Sequence, residues 1–365
     1  MNYVLIFILL LPVKLLFKLI QKRTERNLVI QTAKIGDFIN ITPLLRHLRH
    51  SDALLSSTVA PLAGHDETID DIFYIEEHKT TTLTKLKLAF RLMNRYGNVY
   101  VLYPNSINLF LAACCNARNK QFLSTYERKW YHGLFFLTAT GYVSHSRSDL
   151  VLESYLKLAD RTQTWQSYPK HATLPLVIPQ HPPEVLLRRD KIKIGISISA
   201  GNQAKTIPAT TWKQLINRLK DLPCLFFVFG TLAEQEKLDS FYREIGRQDN
   251  IINMLGKVTL KELPFALSKM DFYMASDSGN VYIADAQNVP VILLYGPCGM
   301  EEQRPLGDVL LIGPENIPPS SFIFRSPYHF EQPAEELFAL NDEKLDAIHQ
   351  FITSRTPHLA TDKHS

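Results

Sequence analysis
The sequence predicts an α/β protein built from two parallel-sheet halves, and three observations carry that reading. Apolar, β-branched runs alternate with stretches of helical periodicity from about residue 27 to about residue 310. Between Tyr168 and Arg189 the chain holds Pro169, Pro175, Pro179, Pro182 and Pro183 and no helical pattern, which marks a linker. With 365 residues and 45% hydrophobic content, the chain has about twice the usual single-domain length and material for two cores.

The first twenty residues stand apart. Tyr3 to Val13 is an unbroken apolar run with one proline, and Leu15-Leu16-Phe17 and Leu19-Ile20 extend it around Lys14 and Lys18. A hydrocarbon core asks for about 20 apolar residues, and no small-residue cleavage site follows, so the segment is read as an apolar anchor helix and not as a cleaved signal peptide. The expected form is an interfacial or re-entrant anchor, and a span with both lysines snorkelling is the alternative. Residues 1–50 carry eight Lys or Arg (Lys14, Lys18, Lys22, Arg23, Arg26, Lys34, Arg46 and Arg49) against Glu25 and Asp37, a net of +6 in a chain of net +4. All of the positive excess therefore flanks the apolar run. That flank is expected on the cytoplasmic face of an inner membrane, drawn to anionic headgroups. No interleaved aromatics or reader motif accompany the basic residues, so nucleic acid is not an expected partner.

Beyond the anchor and its flank (1–26), the first half (27–168) reads as strands at Asn27–Thr32, Ser57–Ala60, Ile72–Ile75 and Asn98–Tyr103, with helices near Thr82–Arg95 and Ser106–Cys115. The linker (169–190) leads to a second half (191–330). Strands are predicted at Ile194–Gly201, Cys224–Gly230, Ile251–Leu255 and Phe272–Ala275, and helices at Thr211–Leu219 and Glu234–Arg247. Thr259-Leu260-Lys261-Glu262 has the spacing of a capping box. Glu335–Ser354, within a closing segment (331–355), reads as a helix returning to the first half, and 356–365 as a tail.

Three strand-to-helix corners carry the chemistry. In Ser276-Asp277-Ser278-Gly279-Asn280-Val281-Tyr282 a buried strand turns into a helix whose free N–H groups and positive dipole end suit a diphosphate. Lys205, in the loop after Ser199 and Gly201, is placed to meet phosphate oxygens as a point charge. Gly36-Asp37 lies at a third corner, just before Thr42-Pro43, where Thr42 caps a helix or the helix begins after Asp37 and bends at the proline. Asp37 itself is readable as nothing more than a cap. Four cysteines, with Cys114 and Cys115 adjacent, have no ligand or disulfide spacing, which fits a reducing compartment.

Taken together, these corners resemble the heptosyltransferases, the family 9 glycosyltransferases that add heptose to the lipopolysaccharide core of Gram-negative bacteria. The matching residues are Gly36-Asp37 with Thr42-Pro43-Leu44 and Leu48, Lys205 to Trp212 with Leu215 and Leu219, and Asp277-Ser278-Gly279 through Ala284, Ala286, Pro290 and Tyr295-Gly296-Pro297. The resemblance implies a GT-B architecture, two Rossmann-like domains facing a cleft. It also implies inverting transfer from ADP-heptose to a lipopolysaccharide core acceptor, without a metal or other cofactor. Asp37 is then the base, with Gly36 and Asn40 on the acceptor side. Lys205, Asp277, Ser278, Gly279, Asn280 and Tyr282 meet the donor. Ser199, Gly201, Glu234 and Met254 are further donor candidates, although Glu234 is also readable as a first-turn helix glutamate. Asn40 and Tyr282 stand where the family commonly has histidine, which leaves open a different nucleotide sugar, such as a hexose or N-acetylhexosamine donor. A membrane-associated scaffold without activity is the remaining reading, and the presence of both Asp37 and Lys205 argues against it.

Overall fold
The computed structural model describes residues 2–167, 171–188, 190–325 and 332–356. The parts of the linker and tail readings at 168–170, 189 and 357–365 lie outside the described residues. The chain divides into two compact units, one of residues 1–173 with 301–303, the other of 174–300 with 304–365.

In the first unit the order is α1 (Asn2–Leu19), β1 (Asn27–Gln31), α2 (Ile35–Leu48), β2 (Ser51–Leu55), α3 (Ala60–Ala63), β3 (Ile69–Tyr74) and α4 (Ile75–His78). It continues with α5 (Thr82–Leu92), β4 (Asn98–Val101), α6 (Ser106–Cys114), β5 (Asn119–Ser124), α7 (His132–Phe136), β6 (Gly141–Ser144) and α8 (Val151–Ala159). All strand pairs are parallel, in the order β3-β2-β1-β4-β5-β6. Leu28, Ile30, Val99, Val101 and Phe122 from the strands meet Leu92, Leu109 and Phe110 from the helices in one apolar core. Parallel strands buried on both faces need such unbroken apolar runs.

The second unit holds β7 (Ile192–Ile196), α9 (Ala209–Arg218), β8 (Cys224–Val228), α10 (Gln235–Ile245), β9 (Ile251–Asn253), α11 (Leu263–Leu267) and β10 (Phe272–Ser276). It closes with α12 (Gly279–Ala286), β11 (Val291–Leu294), β12 (Val309–Ile312), α13 (Ala334–Leu337) and α14 (Asp342–Thr353). Its order, β12-β11-β10-β7-β8-β9, is again fully parallel. Counted from the first strand of each unit, both sheets run 3-2-1-4-5-6. In such sheets the crevice at the carboxyl ends of strands 1 and 4, where the winding reverses, is the place for ligands. Those ends are Gln31 and Val101 in one unit, and Ile196 and Ser276 in the other.

Several expectations change. The strand predicted at Ser57–Ala60 is a 3₁₀ turn (Ser57–Val59) after the true strand β2, because the Ser56 hydroxyl accepts the Thr58 N–H and starts a turn. The strand expected to reach Gly201 stops at Ile196, and Ser197–Gly201 is loop. The closing helix is two helices, α13 and α14. Ile348, Phe351 and Ile352 of α14 lie in the core of the second unit. The apolar run does fold as the helix α1, yet among the described residues no helix is long and apolar enough to cross a membrane. The spanning form of the anchor is therefore corrected. Phe7 and Leu10 are buried in the core of the first unit, and the Asn94 and Asn116 side-chain amides donate to the carbonyls of Phe17 and Lys14 at 2.7 and 3.0 Å. One face of the helix is thus docked on protein.

Candidate functional site
In the first unit, α2 begins at Ile35, before Asp37 and not after it. Asp37 sits in the first turn, where Oδ2 accepts the Lys34 N–H at 3.1 Å, the reciprocal arm of a capping box. The helix runs through Pro43. A proline has no N–H for the Ile39 carbonyl four residues back, and the Thr42 hydroxyl donates to that carbonyl instead, at 2.8 Å. Asn40 is buried, and its Nδ2 donates to the Gly36 carbonyl at 2.8 Å. The loop that aims this turn is held by residues that sequence reading passed over. Gln31 accepts the Ala33 N–H and donates to the Tyr155 hydroxyl at 3.0 Å, while Asn108 Nδ2 donates to Thr32 Oγ1 at 2.8 Å. Burial, and then the negative charge of Asp37, push the Tyr155 phenol well above its ordinary value, so it stays protonated.

The second unit gathers a denser set at its own switch point. Lys205 ends a short 3₁₀ turn (Gln203–Lys205) that Asn202 starts by accepting the Ala204 N–H at 3.0 Å. Its Nζ lies 2.9 Å from Asp277 Oδ2, and the Tyr282 hydroxyl donates to Oδ1 of the same carboxylate at 3.0 Å. Both Lys205 and Asp277 side chains are 18% exposed. Burial alone would raise the Asp277 carboxyl, but the Lys205 ammonium and the hydrogen bonds from Lys205, Tyr282 and Cys298 prevail and hold it below the ordinary range. Burial, then the Asp277 charge, push the Cys298 thiol up, so it serves as a donor and not as a nucleophile. Cys298 carried no sequence signal for this place, because it is brought there by the loop after β11.

Ser278 caps α12 in an extended conformation, and its own Oγ is buried without a hydrogen-bond partner. Of the first N–H groups of the helix, that of Val281 bonds back to the Ser278 carbonyl at 3.2 Å, and those of Gly279 and Asn280 have no intrahelical acceptor. Asn280 Nδ2 donates to Ser197 Oγ at 3.2 Å, and Ser197 Oγ also shares a hydrogen bond with the Tyr273 hydroxyl at 2.6 Å. Gly195 makes that possible. A Cβ there would come within 2.7 Å of the Tyr273 ring, so the aromatic lies across β7 only over a glycine.

Glu234 accepts the Thr231 N–H at 2.6 Å, the Thr231 hydroxyl at 3.4 Å and the Ser199 hydroxyl. Its first role is thus the capping residue of the turn before α10, and it also ties down the Ser199 loop. Gly201 is exposed in the loop before Lys205. Met254 is 1% exposed, so its side chain is not available to a nucleobase in this conformation. The structure therefore brings together Lys205, Asp277, Ser278 and Tyr282, pairs Ser199 with Glu234 and Asn280 with Ser197, and leaves Gly201 and Met254 outside both groups. Among the described residues no group of three His, Cys, Asp or Glu side chains could hold a metal ion.

Two six-stranded parallel sheets of this order, with polar corners at the switch points, place the chain in the class of doubly wound nucleotide-binding folds. Residues 91–315 match the model of glycosyltransferase family 9 (heptosyltransferase), and the chain belongs to that family and is a glycosyltransferase. Solved structures with the same fold include a family 9 glycosyltransferase from Veillonella parvula, 19% identical over 79% of this chain and 85% of that one, with a TM-score of 0.65. The E. coli ADP-heptose lps heptosyltransferase II is 18% identical over 90% of this chain and 99% of its own, also at 0.65. The E. coli heptosyltransferase WaaC with ADP-2-deoxy-2-fluoro heptose is 16% identical over 90% and 99%, at 0.60. A search of curated protein sequences finds no match. Gly36, Asp37 and Asn40 precede the matched residues.

Proposed function
We propose that the protein transfers heptose from ADP-heptose to a lipopolysaccharide core acceptor, with inversion and without a metal ion. The observation that carries this reading is the corner at Asp277. A lysine held at 2.9 Å by that carboxylate lies in the same unit as a helix N-terminus whose Ser278 hydroxyl has no partner. Such a corner supplies positive charge and donors to a departing nucleoside diphosphate, which is where charge develops in glycosyl transfer. Lys205 is the cation that a divalent metal would otherwise provide. In the step, the acceptor hydroxyl oxygen attacks the anomeric carbon, its proton passes to the Asp37 carboxylate, and the bond to the diphosphate oxygen breaks with the electron pair going to ADP.

The choice of donor follows from the family and from its solved members, two of which are named for ADP-heptose or a fluorinated analogue of it. Asn40 and Tyr282 first suggested another sugar. Both now read as internal braces, since Asn40 donates to the Gly36 carbonyl and Tyr282 to Asp277. These contacts support the heptose reading over a hexose donor. The test is transfer by the purified protein onto truncated lipopolysaccharide acceptors, with ADP-heptose and a panel of UDP- and GDP-sugars, all in chelator. Turnover with ADP-heptose is expected, falling by at least roughly 10²-fold in Asp37→Asn. Turnover with another donor alone would replace the heptose reading, an active Asp37→Asn would remove the base assignment, and loss of activity in chelator would overturn metal independence.

A further inference from the structure
Helix α1 is apolar on nearly every side, and an all-apolar helix is normally covered on every side. Here only one side is. Tyr3, Phe7 and Leu10 face the core of the first unit, and Phe17 meets Phe90 of α5 with ring centroids 6.2 Å apart. The opposite stripe, Leu5, Ile8, Leu9, Leu16 and Leu19, repeats at helical spacing and is exposed, Leu9 by 68% and Leu19 by 83%. With Leu15 and Ile20 the exposed aliphatic surface is on the order of 800 Å², above the few hundred Å² that a soluble monomer usually shows in one patch.

The charge around this patch is predominantly positive, and Glu25, two residues after Arg23, pairs with Arg118. Lys18, Lys22 and Arg23 are exposed at its end, and α1, α5 and α6, which form this side of the unit, contain no aspartate or glutamate. On α5, the exposed side chains of Leu83, Lys87, Phe90 and Arg91 extend the same mixture of apolar and basic groups. A second copy of the chain would bring the same positive charge against it. An anionic bilayer offers both a matching charge and an apolar layer.

We propose that the exposed stripe of α1, rimmed by Lys18, Lys22 and Arg23, lies in the headgroup region of an anionic lipid bilayer and holds the enzyme on that surface. The helix lies in the plane of the interface. Its other face is committed to the protein, and the Asn94 and Asn116 bonds to its carbonyls keep it there. The proposal is independent of donor and acceptor.

The test is co-sedimentation of the full chain with vesicles of phosphatidylcholine, with and without phosphatidylglycerol, at low and high salt. Wild type is expected to pellet with the anionic vesicles and to release at high salt. Leu9→Glu/Leu16→Glu, whose sites lie outside the core, is expected to lower vesicle affinity by at least roughly tenfold with unchanged thermal unfolding. Lys18→Glu/Lys22→Glu/Arg23→Glu is expected to do the same for anionic vesicles only. Wild type remaining in the supernatant, equal binding of neutral vesicles, or full binding by Leu9→Glu/Leu16→Glu would each overturn the proposal. So would a dimer in analytical ultracentrifugation that Leu9→Glu/Leu16→Glu dissolves in a protein indifferent to vesicles, since a second copy would then cover the stripe.

Discussion
At the scale of single residues, the Lys205 ammonium and the Asp277 carboxylate are a pair whose members do different things. Asp277 fixes the lysine, and in the proposed reaction Lys205 is the charge offered to the leaving diphosphate. Lys205→Ala is therefore expected to lower kcat by roughly 10²-fold or more, the usual cost of losing one donor to developing charge, as read from steady-state transfer assays. A kcat within a few fold of wild type would assign the diphosphate to other groups. A different residue sets a pH dependence of stability. His132, at the start of α7, is buried and shares a hydrogen bond of 2.9 Å with the Ser106 hydroxyl. Burial, with Lys129 and Arg128 adding to it, pushes its imidazole from 6.5 down to about 4. Between those values the unfolded chain takes up a proton that the folded chain refuses. Stability is then full above the unfolded value and falls as the pH drops towards the folded one, by about 2 kcal/mol between pH 7 and pH 5. Urea unfolding of wild type and His132→Gln at both pH values checks this, the variant showing a shallower loss over that window. Equal losses would mean that the folded imidazole titrates normally.

At the scale of elements, α12 is held from both ends, by Asn280 on Ser197 in its first turn and by Asp285 near its C-terminus. Its N-terminus carries Ser278, and near its C-terminus the buried Asp285 carboxylate accepts the N–H groups of Leu306 and Gly307 at 3.1 and 3.0 Å. The helix is thereby tied to the loop entering β12. Asp285→Ala leaves two amides without that charged acceptor and is expected to cost about 3 kcal/mol in denaturant unfolding, with Asp285→Asn losing less. A cost near zero would show that water replaces the carboxylate freely. Elements of this kind separate what the sequence makes legible from what it does not. Strands β1, β4, β8 and β10 are readable because each is an apolar run bounded by turn residues, and α12 because Asp277-Ser278-Gly279 announces its start. Strands β5 and β6 are not, since Asn119-Lys120-Gln121 and Gly141-Tyr142 lack an apolar pattern and are strands through pairing with neighbours already in place. The extent of β7 was overread because Ser197-Ile198-Ser199 alternates like a strand, while its hydroxyls are taken by Tyr273 and Glu234. Within the site, Lys205 and Asp277 were visible as residue types at strand ends. Tyr282 stood out only as a departure from the family, and Gln31, Tyr155 and Cys298 were invisible because long-range packing, not local pattern, brings them to their partners.

At the scale of the whole molecule, the two units repeat one topology, yet they are not cut from one continuous stretch of chain each. After supplying β7 to β11 of the second unit, the chain gives residues 301–303 to the first. The middle residue of the three is the reason they stay. Glu302 is fully buried, its Oε1 accepts the Tyr126 hydroxyl at 2.9 Å and meets His145 Nε2 at 3.1 Å, and its carbonyl accepts the N–H of Val151 at the start of α8. His145 in turn shares a hydrogen bond of 2.9 Å with Ser154 of α8. A side chain more than 140 positions further along the chain thus fastens the ends of β5 and β6 to α8. Removing one partner of a buried hydrogen bond costs about 1–3 kcal/mol, and more where the group is charged, because the other is left without its acceptor. Glu302→Ala is expected to destabilise the first unit by that amount, although apart from its neighbours Glu301 and Gln303 every other residue of the unit precedes position 174, and Glu302→Gln by less because it retains an acceptor for Tyr126. Hydrogen exchange distinguishes this from a general loss of stability. Amides of β6 and α8 should exchange faster in Glu302→Ala, while those of β10 and α12 keep their wild-type protection. Uniform acceleration across both units would instead mean that the segment acts on the second unit as much as on the first, and unchanged exchange in β6 and α8 would mean that Glu302 fastens nothing.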